Sequence, residues 1–384
     1  TIAKDSRVEF AQPAYLIEAS FVPNDPFFST TGAWGQAYDD LWGIKRVNAP
    51  AAWDTTQGEG VVVAVVDTGV DILHPDLAAN VWTNLGEIAN NGIDDDQNGF
   101  VDDVRGWSFA NGNNNVTDQN GHGTHVAGTI AAVGNNAIGV IGVAPRAKIM
   151  AVQGLSSTGG GTSSGLAAGV LYAARNGARV INASWGCSFA CPSNPVIEDA
   201  VQEAQQLGSV FVAAAGNSGS NIDAFSPQNW PNVITVAALS HVDSRANFSN
   251  YGEVDVAAPG GDSTDNTPNN GYNNILSLRA SGTTLAGHPQ LVVADSYIRA
   301  RGPSMAAPHV SGVAALILSR HPTFAPEQVR QALRVGSSDI GAAGFDADTG
   351  YGVAQAPASI AIADPLEVLS TSPGAGTLAP LPGT

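Results

Sequence analysis

Val61-Val62-Val63-Ala64-Val65-Val66-Asp67-Thr68-Gly69 decides the fold. Six apolar residues in a row, without polar alternation, are what a strand buried on both faces of a parallel sheet requires, because helices cover such a sheet from both sides. Asp67 ends the run, and Thr68-Gly69 turns the chain away. A carboxylate at the C-terminal end of a central parallel strand stands at the edge where open α/β sheets bind ligands; a structural turn aspartate is the alternative. Further apolar runs follow at Ile149 to Val152, Arg179 to Ala183, Val210 to Ala215, Val233 to Ala238 and Val254 to Ala257. Helix-like segments, Ser164 to Asn176 and Val196 to Leu207, lie between several of them. This alternation predicts an α/β fold, a three-layer sandwich around a mostly parallel central sheet.

The ends of the chain read differently. Residues 1–30 are punctuated by Pro13, Pro23 and Pro26 and suggest an extended arm with a short strand around Tyr15 to Ile17. Residues 364–384 are rich in Pro, Gly, Ser and Thr and read as a linker, which leaves 31–363 as the main domain. The formal net charge is -18, with only Lys4, Lys45 and Lys148 as lysines, so nucleic acid and anionic membrane surfaces are poor partners. No apolar run approaches the roughly eighteen residues of a membrane span. Cys187 and Cys191, with three residues between them and Pro192 beside, suggest a small disulfide and an oxidising compartment.

Three further segments carry chemistry. In Arg301-Gly302-Pro303-Ser304-Met305-Ala306-Ala307-Pro308-His309, one serine heads an apolar helical run that extends through Leu318. Backbone N–H groups in a helix's first turn lack intrahelical partners and can bind developing negative charge; an N-cap serine is the plain alternative. In Asn120-Gly121-His122-Gly123-Thr124-His125, glycines on both sides give His122 room to approach a partner. His125 stands near metal-ligand spacing, but the glutamate of a His-Glu-x-x-His helix is missing. Ala213-Ala214-Ala215-Gly216-Asn217 is a strand of small side chains that ends in an amide donor.

Taken together, the Asp67, His122, Asn217 and Ser304 segments resemble the subtilisin-like serine proteases, the subtilases, over roughly Trp42 to Ala358. The order Asp, His, Ser is that family's. The resemblance implies Ser304 as nucleophile, His122 as general base, Asp67 as the group that orients the imidazole, and Asn217 with the Ser304 N–H as an oxyanion hole. Gly159, Gly160 and Gly161, with Ser184, Trp185 and Gly186, would flank an extended peptide as added strands. Ala213, Ala214, Ala215 and Gly216 would wall the main specificity pocket, and small walls imply cleavage after large apolar or aromatic residues.

Two stretches suggest calcium. Asp94, Asp96, Asn98, Phe100 (through its carbonyl), Asp102 and Asp103 space oxygen atoms in the manner of an EF-hand loop, although Arg105 stands where a bidentate glutamate is expected. By resemblance, Asn136, Ile138 and Val140 with Asp76 match a family calcium loop, with one residue inserted near Gly134. Asp5 to Tyr15 resembles the last strand of an inhibitory prosegment, which implies a zymogen maturing between about Ala19 and Tyr38. The reading is a secreted or extracytoplasmic, calcium-stabilised monomeric endopeptidase acting on proteins or peptides and bound by its own prosegment. Pro303, where the family usually has threonine, motivates a catalytically impaired rival used for binding. The extra segment Ser281 to Tyr297 motivates a second, a peptide ligase that shields its acyl-enzyme from water.

Overall fold

The computed structural model describes residues 21–262, 274–285 and 287–362. The expected prosegment strand and the C-terminal linker at 364–384 lie outside the described residues.

Seven parallel strands form the central sheet: β1 (Val62–Asp67), β2 (Gly106–Ser108), β3 (Lys148–Gln153), β4 (Val180–Ala183), β5 (Val210–Ala214), β6 (Ile234–Leu239) and β7 (Val256–Pro259). Their order is β2-β3-β1-β4-β5-β6-β7, so the strand that announced the fold sits in the interior of the sheet. A smaller antiparallel sheet, β8 (Ile275–Leu278), β9 (Val292–Val293) and β10 (Tyr297–Ala300), has β10 in the middle. The helices are α1 (Pro26–Ser29), α2 (Trp42–Arg46), α3 (His122–Ala131), α4 (Ser163–Arg175), α5 (Pro195–Gln206), α6 (Pro303–Arg320), α7 (Pro326–Gly336) and α8 (Ala356–Ile360). None of the described helices is long and apolar enough to cross a membrane.

The period of two along each strand sorts the core into two layers. Val63 and Val65 of β1 pack with α3 and α6, while Ala64 and Val66 pack with α4 and α5. On the first side lie Val126 and Ile130 of α3 and most of α6; on the second lie Val170 of α4 and Val201 of α5. The same parity carries Asp67 onto the α3 side of the sheet. Helix α6 is buried from Met305 to Leu318, which suits its Ala, Leu and Ile content, and the buried run ends at Ser319 and Arg320. Cys187 and Cys191 form a disulfide in the loop between β4 and α5.

Candidate active site

The C-terminal edge of the sheet collects the residues singled out above. Asp67 is fully buried, and its Oδ1 accepts from the Thr68 N–H and lies 2.7 Å from His122 Nδ1. A carboxylate beside Nδ1 fixes the proton there and leaves Nε2 as the basic nitrogen. Burial works against a charged His122 ring, but Asp67 outweighs it and raises the imidazole above its ordinary value of 6.5. Helix α3 comes this close because residue 123 is glycine: a Cβ there would stand 2.1 Å from the Gly69 carbonyl oxygen and 3.1 Å from Asp67 Cβ. His125, one turn on, is buried with Nε2 2.9 Å from the Ile275 carbonyl oxygen, and burial lowers its value to about 3. It is a neutral structural histidine, as the missing glutamate suggested.

Ser304 is the second residue of α6 and remains partly exposed while the helix around it is buried. Pro308, four residues on, has no N–H to give the Ser304 carbonyl its helical hydrogen bond. Ser184 supplies the substitute: its Oγ donates to the Ser304 carbonyl at 2.9 Å. In return, Ser304 Oγ donates to the Ser184 carbonyl at 2.9 Å, so the hydroxyl rests on β4's extension. Asn182 donates to Ser184 Oγ and accepts from Ser311 Oγ, each at 2.9 Å, which extends the tie between sheet and helix. Pro303 occupies the first helical position, where the N–H has no intrahelical partner in any case and the fixed φ suits the helix. Gly302 before it has φ 137°, a value that favours glycine.

Asn217 is exposed just past β5, and its carboxamide makes no hydrogen bond to any described residue. Its Oδ1 would stand 3.3 Å from a Cβ on Gly302, which places the amide across from the start of α6. Gly159, Gly160 and Gly161 form an exposed turn after β3, closed by the Ser156 N–H donating to the Gly160 carbonyl. Ser184 is buried and Gly186 exposed; Trp185 between them donates its indole N–H to the Val66 carbonyl at 2.7 Å. Ala213, Ala214 and Ala215 are buried and lead to Gly216. Beyond Tyr297 and Leu278, the segment expected to be extra returns to the centre: the Ser281 N–H donates to Asp71, and Thr283 lies against Gly121, beside His122.

The acidic loop converges differently from its spacing. Asp94 accepts from the Asn98 and Gly99 N–H groups, and Asp102 from those of Asn91 and Gly92, so both carboxylates serve the loop's own backbone. Asp96 and Asp103 instead meet Glu87, with ligand oxygens within 4.8 Å of one another. The side-chain amides of Asn84 and Asn98 both point N–H groups at these two aspartates. Phe100 turns its ring into an aromatic cluster with Trp107, Phe109 and Tyr172. The three carboxylates are an oxygen set that fits a hard cation such as calcium, while the Asn84 and Asn98 amide oxygens face away and accept from the Gly86 and Phe100 N–H groups.

A second acidic pair lies beneath the 135–140 loop. Asp76 accepts from Asn136 Nδ2 and the Val140 N–H, and Asp25 accepts from the Asn135 N–H. Ile138 is exposed, and its N–H donates to Asn136 Oδ1. Both aspartates are fully buried, and burial pushes Asp76 up to about 7 and raises Asp25. Among the described residues neither has a lysine or arginine partner. Two buried carboxylates sharing a loop fit a cation there as well.

Several contributors escaped the sequence. Asp118 accepts from Thr68 Oγ1, from the N–H groups of Asn120, Gly121 and Thr124, and from Thr124 Oγ1, so one buried carboxylate binds the β1 turn to the start of α3. An aspartate shortly before a helix was the available signal. Asp25 lies 110 residues from the Asn135 N–H it meets, and Glu87 falls just outside the 94–103 run whose aspartates it joins.

Comparison with known proteins closes the case for the family. The subtilase family model matches residues 58–352. The chain is 40% identical over 315 residues to a thermophilic serine proteinase of Bacillus sp. strain AK1, covering 82% of this chain and 64% of that protein. It is 38% identical over 301 residues to thermitase of Thermoactinomyces vulgaris, covering 78% and 86% respectively. A solved protease structure from Pseudoalteromonas arctica superposes with TM-score 0.68 at 36% identity, covering 88% of this chain and 98% of that one. The strand order, the Asp67–His122 contact and these matches agree: the chain belongs to the subtilase family of subtilisin-like serine endopeptidases.

Proposed function

We propose that this chain hydrolyses internal peptide bonds of protein or peptide substrates through an acyl-enzyme on Ser304. The 2.7 Å contact between His122 Nδ1 and Asp67 carries the reading, because it leaves Nε2 unprotonated toward solvent as a base. In this mechanism Ser304 Oγ leaves the Ser184 carbonyl, passes its proton to His122 Nε2 and attacks the scissile carbonyl. Asn217 and the N–H groups at the start of α6 hold the oxyanion; losing one such donor costs about 2.7–4 kcal/mol in the transition state, a range whose source example is itself a subtilisin. His122 then protonates the leaving amine, and water repeats the sequence to release the acid.

The glycine turn at 159–161 and the 184–186 segment would hold the peptide as added strands, and the alanine-lined crevice would take a large apolar side chain at P1, the residue whose carbonyl is attacked. Calcium would be held by Glu87, Asp96 and Asp103, and by Asp25 and Asp76 with the 135–140 loop; its contribution is to fix these loops. The disulfide supports export to an oxidising compartment. Residues 1–20 fit a prosegment remnant by their resemblance, and a monomer is expected.

The 281–285 segment beside Gly121 favours one second reading, in which an amine rather than water takes the acyl group. Incubation of one defined peptide, followed by product masses, tests both. Two fragments whose masses sum to substrate plus water, absent with Ser304→Ala, are expected. Joined or cyclised products would favour transfer, and cleavage that persists in Ser304→Ala would overturn the assignment.

A further inference from the structure

The connection from β8 to β10 runs over residues 279–296 and takes in β9. It is tied both to itself and to the neighbourhood of His122. The Arg279 N–H donates to the Ser296 carbonyl at 2.9 Å, and the Arg279 guanidinium spans the loop, donating from Nη1 to the Asp295 carbonyl and from Nε to the Thr283 carbonyl. The Ser281 N–H donates to the Asp71 carboxylate at 3.0 Å, while the Asp71 N–H donates to Thr124 Oγ1 at 2.9 Å. Thr124 belongs to α3, so the segment is locked to the helix that carries His122.

A Cβ on Gly121 would stand 2.6 Å from Thr283 Oγ1 and 3.6 Å from Leu285 Cγ, which puts both side chains over the backbone just before His122. Thr283 is buried, and its hydroxyl donates to the Ala280 carbonyl at 2.8 Å. Leu285 is only half-buried and has φ 43°, in the left-handed region that a bulky side chain rarely enters. A backbone outlier that leaves an apolar side chain partly in water beside a reactive group points to use at that group rather than to core packing. The direction of approach matters too. β8 packs with α3 and α6 in one core layer, whereas Leu155 and Leu166, which bracket the 156–161 turn, pack with α4 and α5 in the other. That turn meets the same stretch through Asn120, whose Nδ2 donates to the Ser157 carbonyl at 2.9 Å. His122 is thus flanked by the glycine turn from one layer and by Leu285 from the other.

We propose that Leu285 is a specificity-determining residue for the amine half of the substrate, contacting the first residues after the scissile bond and favouring apolar side chains there. The inference rests on the endopeptidase reading, in which the glycine turn and the 184–186 segment hold the acyl half. The amine half then leaves past His122 on the opposite flank, where Leu285 stands. Its contact exists before the acyl-enzyme forms and ends when the amine departs, so it bears on acylation alone. A partly open apolar contact belongs at the low end of hydrophobic discrimination, about tenfold in kcat/KM.

The test uses two internally quenched peptides with one common acyl half, differing only in Leu or Ser at both positions after the scissile bond, with active sites counted by a serine-directed fluorophosphonate. A coumarylamide of the same acyl half, which has no residue on the amine side, normalises each protein for changes at His122. The wild type is expected to favour the Leu peptide by about tenfold in kcat/KM, and Leu285→Ser to lower that ratio toward one. A wild type that prefers Ser, or shows no preference, would overturn the proposal, and this result needs no variant. An unchanged ratio in Leu285→Ser would overturn it too, even if the coumarylamide slows with both peptides, since that pattern belongs to a purely structural role. A wild type that neither cleaves the coumarylamide nor takes the label would instead overturn the endopeptidase reading beneath it.

Discussion

His122 is set by two opposing influences: burial, which disfavours the imidazolium, and the Asp67 carboxylate 2.7 Å from Nδ1, which prevails. In the proposed mechanism the working form of the ring is neutral, so activity should rise with pH as the raised His122 value is passed, above 6.5. Removing the carboxylate's charge with Asp67→Asn should shift this acid limb downward and reduce kcat by about 10^4-fold. A kcat/KM profile against pH for both proteins measures the two effects together, and an acid limb unmoved in the variant would separate Asp67 from the ionisation. Ser304 and His122 stand out in the sequence through the order of four segments that resembles the subtilases; by itself the Ser304 segment reads as a helix cap.

At the scale of elements, the buried strands were readable from continuous apolar runs, and β3 to β7 begin and end within about two residues of expectation. β2, β8, β9 and β10 were missed, being short or carrying Trp107, Tyr297 and Arg299 among polar neighbours. What joins the elements was the least legible part. Asp118 is the clearest case, since its five hydrogen bonds fix the β1 turn against α3 and hence Asp67 against His122. Each buried donor left unpaired costs about 1–3 kcal/mol, so Asp118→Ala should lose more than about 3 kcal/mol. Denaturant unfolding checks the magnitude; a loss below about 1 kcal/mol would mean that water replaces the carboxylate without strain. The reciprocal Ser184–Ser304 pair is the matching device between β4 and α6, made necessary by Pro308.

Over the whole molecule, the net charge of -18 is concentrated partly in buried or clustered carboxylates that the few cationic side chains do not neutralise. Glu87, Asp96 and Asp103 in one place, and Asp25 and Asp76 in another, tie surface loops to the sheet. A cation at a hundred times its Kd adds about 2.7 kcal/mol to stability, so a chelator should lower Tm measurably and calcium should restore it. Glu87→Gln should shrink the calcium response, and a melt indifferent to chelator in the wild type would remove the cation from the account. The spacing in 94–103 had suggested a loop closed on itself; the structure turns Asp94 and Asp102 to backbone N–H groups and recruits Glu87 from outside.

The parts at all three scales converge on one hydroxyl. Reaction with a serine-directed fluorophosphonate, followed by peptide mapping, reads its reactivity without assuming any substrate. The account predicts one adduct per chain, located on Ser304, lost in Ser304→Ala and strongly slowed in His122→Ala. An intact, folded chain that takes up no adduct, or one labelled elsewhere, would contradict it.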